Sequence, residues 1–401
     1  MIPAFGLGAT AAALLAASAS YDVGVRTELR AASDPFGLAA LDGAQELDPR
    51  AAVLLKGAGV RLSAVYNPRI YWLEPQQTPS PASTPNVLHR AEVQLERTWD
   101  RGGRLFALED AAYGTNDFSP LAGTGGAPTS VTGAGAPVPL STLPRVLLAQ
   151  YVLTSTTLGT QAPLGNFFRL GGSAQYVVSG GPDLVSRLDI PLQRGPRADL
   201  SLSYAPTRQD SFTTSVEGLH SNFSSGQRAQ LLQVSESWRG QWSRVTDVGL
   251  TVGGALVENQ GAVGVSMLDR FPVAGASLNT QVPFYGMHSA ARLALTFGPY
   301  LDVYAADVYE RVEADASLAF DLYRWDVRVA LRGTRFLTGW QRRGETLVVA
   351  EVTLAHVLTP GLKLEGGTRA FWQNGAAVTD APLQGALFLS LSGAQAGPLG
   401  R

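Results

Sequence analysis

Apolar and polar residues alternate one for one along the stretch 308–336. Val312, Ala314, Ala316, Leu318, Phe320 and Leu322 take one parity, and Arg311, Glu313, Asp315, Ser317 and Asp321 take the other. After the tight Tyr323-Arg324-Trp325 connection, Val327, Val329 and Leu331 stand against Asp326, Arg328, Arg332 and Thr334. A period of two puts each set on one face of a pleated strand. Wound as a helix, the same residues would spread apolar groups all round and leave no stripe to bury. The pattern predicts a hairpin with one apolar and one charged face. Each arm is long enough to supply the roughly 9–11 tilted residues that cross a hydrocarbon layer.

The same alternation recurs through the chain. Tyr21, Val23, Val25, Thr27 and Leu29 oppose Asp22, Gly24, Arg26, Glu28 and Arg30. A short strand at Ala51–Lys56 precedes alternating runs at 60–72 and 88–99, the second closed by the turn Asp100-Arg101-Gly102-Gly103. The return strand, 104–113, has its facing blurred by adjacent Glu109 and Asp110. Further runs lie near 145–157, 167–178, 197–204, 211–220, 228–238, 247–257, 273–282 and 288–304. Beyond the central hairpin come 345–357, 362–373 and 384–392. The count is about 18 strands.

Connector length alternates with strand order. The stretches 31–49, 73–87, 114–144, 179–196 and 258–272 are long and polar, whereas 57–59, 100–103, 205–210, 283–287, 323–325 and 358–361 are tight. On the long side 221–227, 305–306 and 339–344 are short, and on the tight side 158–166 is slack. Short periplasmic turns and longer external loops are the asymmetry of outer-membrane barrels. A soluble sandwich has no reason to sort its loops this way. The expected fold is therefore all-β: a closed antiparallel transmembrane β-barrel over residues 21–401, monomeric, in the outer membrane of a Gram-negative bacterium and surrounded by its lipid.

Composition agrees. Charged residues make up 16% of the chain and hydrophobic ones 45%, below the charge of an average soluble protein, about 25%. A barrel dilutes its membrane signal to every second residue. The formal net charge of −2 gives no reason to expect nucleic acid. There is no cysteine, so disulfides, thiolate chemistry and Cys-ligated metals are absent. Residues 1–20 are small and apolar and read as a secretory signal, with Ala17-Ser18-Ala19 as the cleavage site, although no Lys or Arg precedes them. Nothing ahead of Tyr21 suggests a plug.

The polar parity supplies the candidate site. Arg26, Arg61, Arg90, Glu92, Arg169, Asp199, Arg292, Arg311, Glu313, Asp315, Arg328, Arg332, Glu365 and Arg369 are expected to line the lumen. Their signs nearly cancel, giving a wet lining of mixed charge. Cross-strand pairing of such charges would also stabilise the wall. A barrel of this strand number leaves an aqueous channel. Trp72, Trp340 and Trp372 are expected in an external aromatic belt, and Trp99, Trp238, Trp242 and Trp325 in a periplasmic one. The loop 114–144, the third external one, is a candidate for folding into the pore.

Catalytic signals are thin. His220-Ser221-Asn222 is the only cluster of those residue types, and adjacent strand residues cannot by themselves hold a base against a nucleophile. His89, His288 and His356 lack metal-ligand spacing. No phosphate-binding or dinucleotide motif precedes a helix. Neither an enzyme, a metal nor a cofactor is expected.

Three short motifs add a resemblance: Y-N-P-R-I-Y-W (66–72), L-Q-R-G-P-R (192–197) and S-E-S-W-R-G-Q-W-S-R (235–244). They are similar to barrels of composite polysaccharide-export systems. That resemblance implies a channel taking polysaccharide from a periplasmic export protein. The chain departs from the general barrel pattern in ending on A-G-P-L-G-R, with Phe388 the nearest aromatic. The alternatives are a general small-solute porin, and a structural envelope-anchoring barrel or adhesin with a filled lumen.

Overall fold

The first and last strands close the ring: Ser20 pairs with Ala396 and Ala31 with Gly385, antiparallel. The computed structural model describes residues 14–33, 39–74, 85–99, 102–117, 148–261, 264–284, 287–303, 305–338, 344–374 and 383–398. The first strands are β1 (Leu14–Ser33), β2 (Ala39–Gly57), β3 (Val60–Tyr66), β4 (Arg69–Glu74), β5 (Asn86–Thr98) and β6 (Arg104–Asp117). Next come β7 (Leu148–Leu164), β8 (Phe168–Gly180), the single turn α1 (Ser186–Asp189), β9 (Gln193–Tyr204) and β10 (Asp210–Phe223). Then follow β11 (Arg228–Ser243), β12 (Thr246–Gln260), β13 (Ser266–Phe284), β14 (Met287–Asp302) and β15 (Asp307–Leu322). The last are β16 (Trp325–Phe336), β17 (Thr346–Thr359), β18 (Leu362–Asn374) and β19 (Gln384–Pro398).

These nineteen strands form one antiparallel sheet. Both β3 and β4 pair with β2 on one side and β5 on the other, so they share one wall position and the barrel has eighteen. Register runs unbroken across the gap, because Leu47 meets Ile70 and Ala51 meets Tyr66. That register sets Pro49 opposite Pro68. Neither has an N–H to donate, so the ladder opens where the two prolines face each other.

Pro49 also explains a departure from the sequence reading. Most of 31–49 is strand, since β1 reaches Ser33 and β2 starts at Ala39. An Asp-Pro pair reads as a turn, yet here it sits inside a strand at the one level where its partner cannot donate either. The slack connector 158–166 is likewise mostly strand: β7 runs to Leu164 and only three residues turn before Phe168. Tight turns thus join every hairpin at the end where the strand termini Leu14 and Pro398 lie. At the other end the described connections range from the four residues of 224–227 to the twelve of 181–192.

Outward residues are exposed and apolar, among them Val23, Val25, Leu250, Leu293, Leu331, Leu354 and Leu389. The outward face is not apolar throughout. Asp110 turns inward to Arg90, which sends its neighbour Glu109 outward, where Thr156 Oγ1 donates to Glu109 Oε2 at 2.5 Å. Glu236 also faces outward and accepts from Thr214 Oγ1 at 2.6 Å. Among the described residues no helix is long and apolar enough to cross a membrane; strands do the crossing.

Candidate functional site

Cross-strand register decides which charges meet on the inner wall. Because β1 pairs with both β2 and β19, Arg26 lies level with Glu46 on one side and Ser390 on the other. Its guanidinium stacks 3.9 Å from the centre of the Phe388 ring, with Nε 3.5 Å from Glu28 Oε2. Next along the wall, Arg69 forks both oxygens of Glu46, and both side chains are buried. Arg90 Nη2 lies 3.5 Å from Asp110 Oδ2. On the far side of the closing seam, Arg369 donates to Glu351 through Nε and Nη2 at 2.9 and 2.7 Å.

The central hairpin carries its own chain of charge. Arg311 pairs with Glu313 at 2.8 Å, while Arg332 Nε reaches Asp315 at 2.6 Å and Glu313 at 3.6 Å. Lys363 pairs with Glu365 at 3.2 Å. Asp199 accepts from Ser173, and Glu92 lies level with Asp110. So six of the fourteen candidate lumen residues, Arg90, Asp199, Glu313, Asp315, Arg332 and Arg369, hold polar partners on a neighbouring strand, while Arg26, Arg311 and Glu365 pair within their own. Such pairing holds long side chains flat against the wall, leaving a hydrogen-bonding surface of nearly balanced charge.

Four candidate arginines are different. Arg61, Arg169, Arg292 and Arg328 all lie toward the tight-turn end, on the polar parity of their strands. Each makes no ion pair among the described residues. The sequence marks them no differently from Arg26 or Arg369; Arg61 even stands level with Glu96, whose carboxylate Arg104 takes instead.

Two segments pack against the wall at the opposite end. Gly180 turns the chain after β8 with φ 132°, and a Cβ there would meet the Pro191 carbonyl oxygen at 2.4 Å. The segment 181–192 then folds back, burying Ile190 with Leu88, Ala112, Tyr151 and Leu153 from β5, β6 and β7. Its Asp183 accepts from the backbone N–H of Ser186 and Val185 at 2.9 Å each, and from Ser186 Oγ at 2.8 Å. Those bonds, the Ser186 N–H first, hold this exposed carboxyl below the usual range. Likewise Ala306 and Val308, at the β14–β15 tip, bury against Phe223, Ala229, Val257 and Phe271. The sequence reads 179–196 as an external polar loop; Ile190 is the one side chain of 181–192 that joins this apolar cluster, while Leu184, Val185 and Leu188 beside it are exposed.

The tryptophans lie as follows. Trp72 is at the external end of β4 and Trp372 at that of β18, while Trp99 and Trp242 flank tight turns and are exposed. Trp238 donates through Nε1 to Asp210 at 3.2 Å, and Trp325 packs 4.2 Å from the His356 ring. Trp340 and the loop 118–147 lie outside the described residues, as does the side chain of His288. Strand alternation splits the cluster at 220–222: His220 Nε2 bonds Asn222 at 2.9 Å, while buried Ser221 accepts from Gln193 on the other face. His89 bonds the Tyr66 hydroxyl at 2.8 Å. No group of metal-ligating residues occurs among the described residues.

A family model, the EpsX exopolysaccharide export family, matches residues 12–399. No curated protein matches the chain. Among solved structures, Pseudomonas aeruginosa OpdO is similar at a TM-score of 0.52 and 12% identity, over 96% of this chain and 98% of that one. Pseudomonas aeruginosa OpdK, solved with vanillate, gives 0.50 at 9% identity, over 94% and 99%. At such identity the likeness is one of fold: the closed antiparallel barrel of Gram-negative outer-membrane porins. An apolar outer wall around a charged inner one places the chain in that membrane, against its lipid.

Proposed function

Because this chain belongs to the EpsX exopolysaccharide export family, we propose that it is the outer-membrane channel of a polysaccharide exporter, receiving polymer from a periplasmic export protein. The observation that carries this reading is the family match across residues 12–399, which spans every described strand. The inner wall supports it. Arginine–carboxylate pairs such as Arg369–Glu351 and Arg197–Glu217 present hydrogen-bonding groups at nearly balanced charge. A long hydrated polymer can slide past such a surface, because binding is weak at each of many sites.

Deletion of the gene in its host tests this directly. Loss of surface polysaccharide, restored by the full chain, is the expected result; unchanged surface polysaccharide would remove the export reading. A general small-solute porin is the second reading, favoured by the same paired wall, which suits any small hydrated solute. Proteoliposomes holding the purified barrel would then swell rapidly in small sugars. The export reading expects no such swelling without the periplasmic partner.

A further inference from the structure

The tight-turn mouth carries arginines that the wall does not use. We propose that it holds an entry subsite for acidic polysaccharide, in which Arg244, Arg292 and Arg328 bind the carboxylates of uronate-type sugars. This rests on the export reading and names its substrate class.

A groove of about 400 Å³ opens across β11 to β16 at that mouth, lined by Arg244, Arg292 and Arg328 with Asp247, Asn279 and Gln281 among its polar neighbours. The volume falls within the range of small-molecule sites, about 300–1,000 Å³. Register explains how strands far apart in sequence build it. Asp247 pairs with Asn279 and Asn279 with Arg292, while Arg292 pairs with Ser317. One row nearer the turn, Ala319 pairs with Arg328.

The charge count decides the chemistry. Three arginines line the groove against one carboxylate, Asp247, and Arg239 already engages that carboxylate at 3.1 Å. Asp321 and Asp326 face each other one row closer to the turn, outside the groove lining. Elsewhere on the wall Arg26, Arg69, Arg90, Arg332 and Arg369 each have a carboxylate within 4 Å. Among the described residues none of these three forms an ion pair.

A guanidinium presents a planar fork that matches a carboxylate, so each can take one acidic group bidentately. Asn279 and Gln281 amides supply partners for sugar hydroxyls. The arginines are exposed, so each contact is screened over a Debye length of about 8 Å at physiological salt. Affinity for a single sugar is then low. A chain of acidic sugars gains through repeated contacts and can still move on, as conduction requires. Arg292 and Arg328 share the polar parity of Arg311 and Arg332, so they face the path of the polymer. An acidic protein docking from the periplasm would meet the turns first.

Titration calorimetry on the full-length barrel in detergent, with tri-galacturonate and neutral maltotriose as probes, tests the subsite without requiring conduction. Tri-galacturonate should bind at least about tenfold more tightly than maltotriose, with the difference shrinking as salt rises. R244Q/R292Q/R328Q should abolish the preference, and R244K/R292K/R328K should keep part of it. Equal binding of the two probes, no binding of either, or a preference surviving in the glutamine variant would overturn the proposal. A glutamine variant that keeps the preference but loses a periplasmic protein held by the wild type would assign the arginines to docking instead, and overturn it too. In cells the two readings separate. If deletion removes surface polysaccharide while the glutamine variant exports at the wild-type rate, the subsite falls and export stands. If deletion leaves the polysaccharide in place, export falls.

Discussion

Arg69 donates to both oxygens of Glu46 across the β2–β4 pair, with Nη2 to Oε2 at 2.8 Å and both side chains buried. Removing one partner leaves an uncompensated charge away from water, which costs about 3–5 kcal/mol. Glu46→Ala should therefore lower unfolding stability in detergent by that order. The double change Glu46→Leu with Arg69→Met should cost markedly less. Chemical unfolding followed by tryptophan fluorescence reads both, and equal losses would show that the stranded guanidinium is not what the single change costs.

The Phe388 ring packs against Gly367. A Cβ at that glycine would come within 2.7 Å of the ring and 2.4 Å of the Val352 carbonyl oxygen. Arg26 stacks on the same ring. Gly367→Val should displace the ring and take Arg26 with it. The expected loss is about 1–3 kcal/mol of stability, typical of overpacking, with Gly367→Ala intermediate. An unchanged melting temperature for the valine variant would refute the close packing.

Glu109 faces lipid, and among the described residues the Thr156 hydroxyl is its hydrogen-bond partner. A carboxylate on the outer face is unfavourable by an amount that grows with depth, though less than for Arg or Lys. Glu109→Leu should stabilise the barrel by about 1 kcal/mol in lipid vesicles. A loss of stability would mean that something other than lipid covers this position.

The turn at 183–186 should respond to acid. Its hydrogen bonds hold the Asp183 carboxyl below its ordinary value, so they stabilise the segment above the unfolded pKa, about 3.9. That contribution is lost as pH falls through the lowered folded value. Hydrogen exchange at Val185 and Ser186 should be protected near pH 7, and Asp183→Ala should abolish the protection there. Exchange that is fast in the wild type at neutral pH would rule the turn out.

If the apolar leader is removed after Ala19, Ser20 becomes the first residue. The pairs Ala16–Lys56 through Ala19–Val53 then disappear, while those from Ser20–Ala52 onward remain. N-terminal sequencing of the protein from outer membranes should read S-Y-D-V-G. A start at or before Leu14 would mean that the whole of the first strand is kept.

Much of this was legible beforehand, and the misses have causes. Alternation through 308–336 placed both arms and their facing, because side-chain direction in a strand follows from local backbone geometry. Pro49 hid most of β2, since an Asp-Pro pair reads as a turn wherever it occurs. Gly159 and Gln161 masked the end of β7, lacking an apolar group to mark a face. Glu109 and Asp110 gave contradictory signals that only Arg90, arriving from the next strand, resolved. The burial of Ile190 needed Leu88 and Tyr151, which lie 102 and 39 positions away in the chain.

The sequence by itself determined that there would be two faces, about eighteen staves, and arginines and carboxylates on the wet side. Those are properties of each segment alone. Only the tertiary structure decided which charges meet, because pairing depends on how each strand slides against its neighbour. That stagger put Glu46 beside Arg69 and left Arg292 and Arg328 with no ion pair among the described residues.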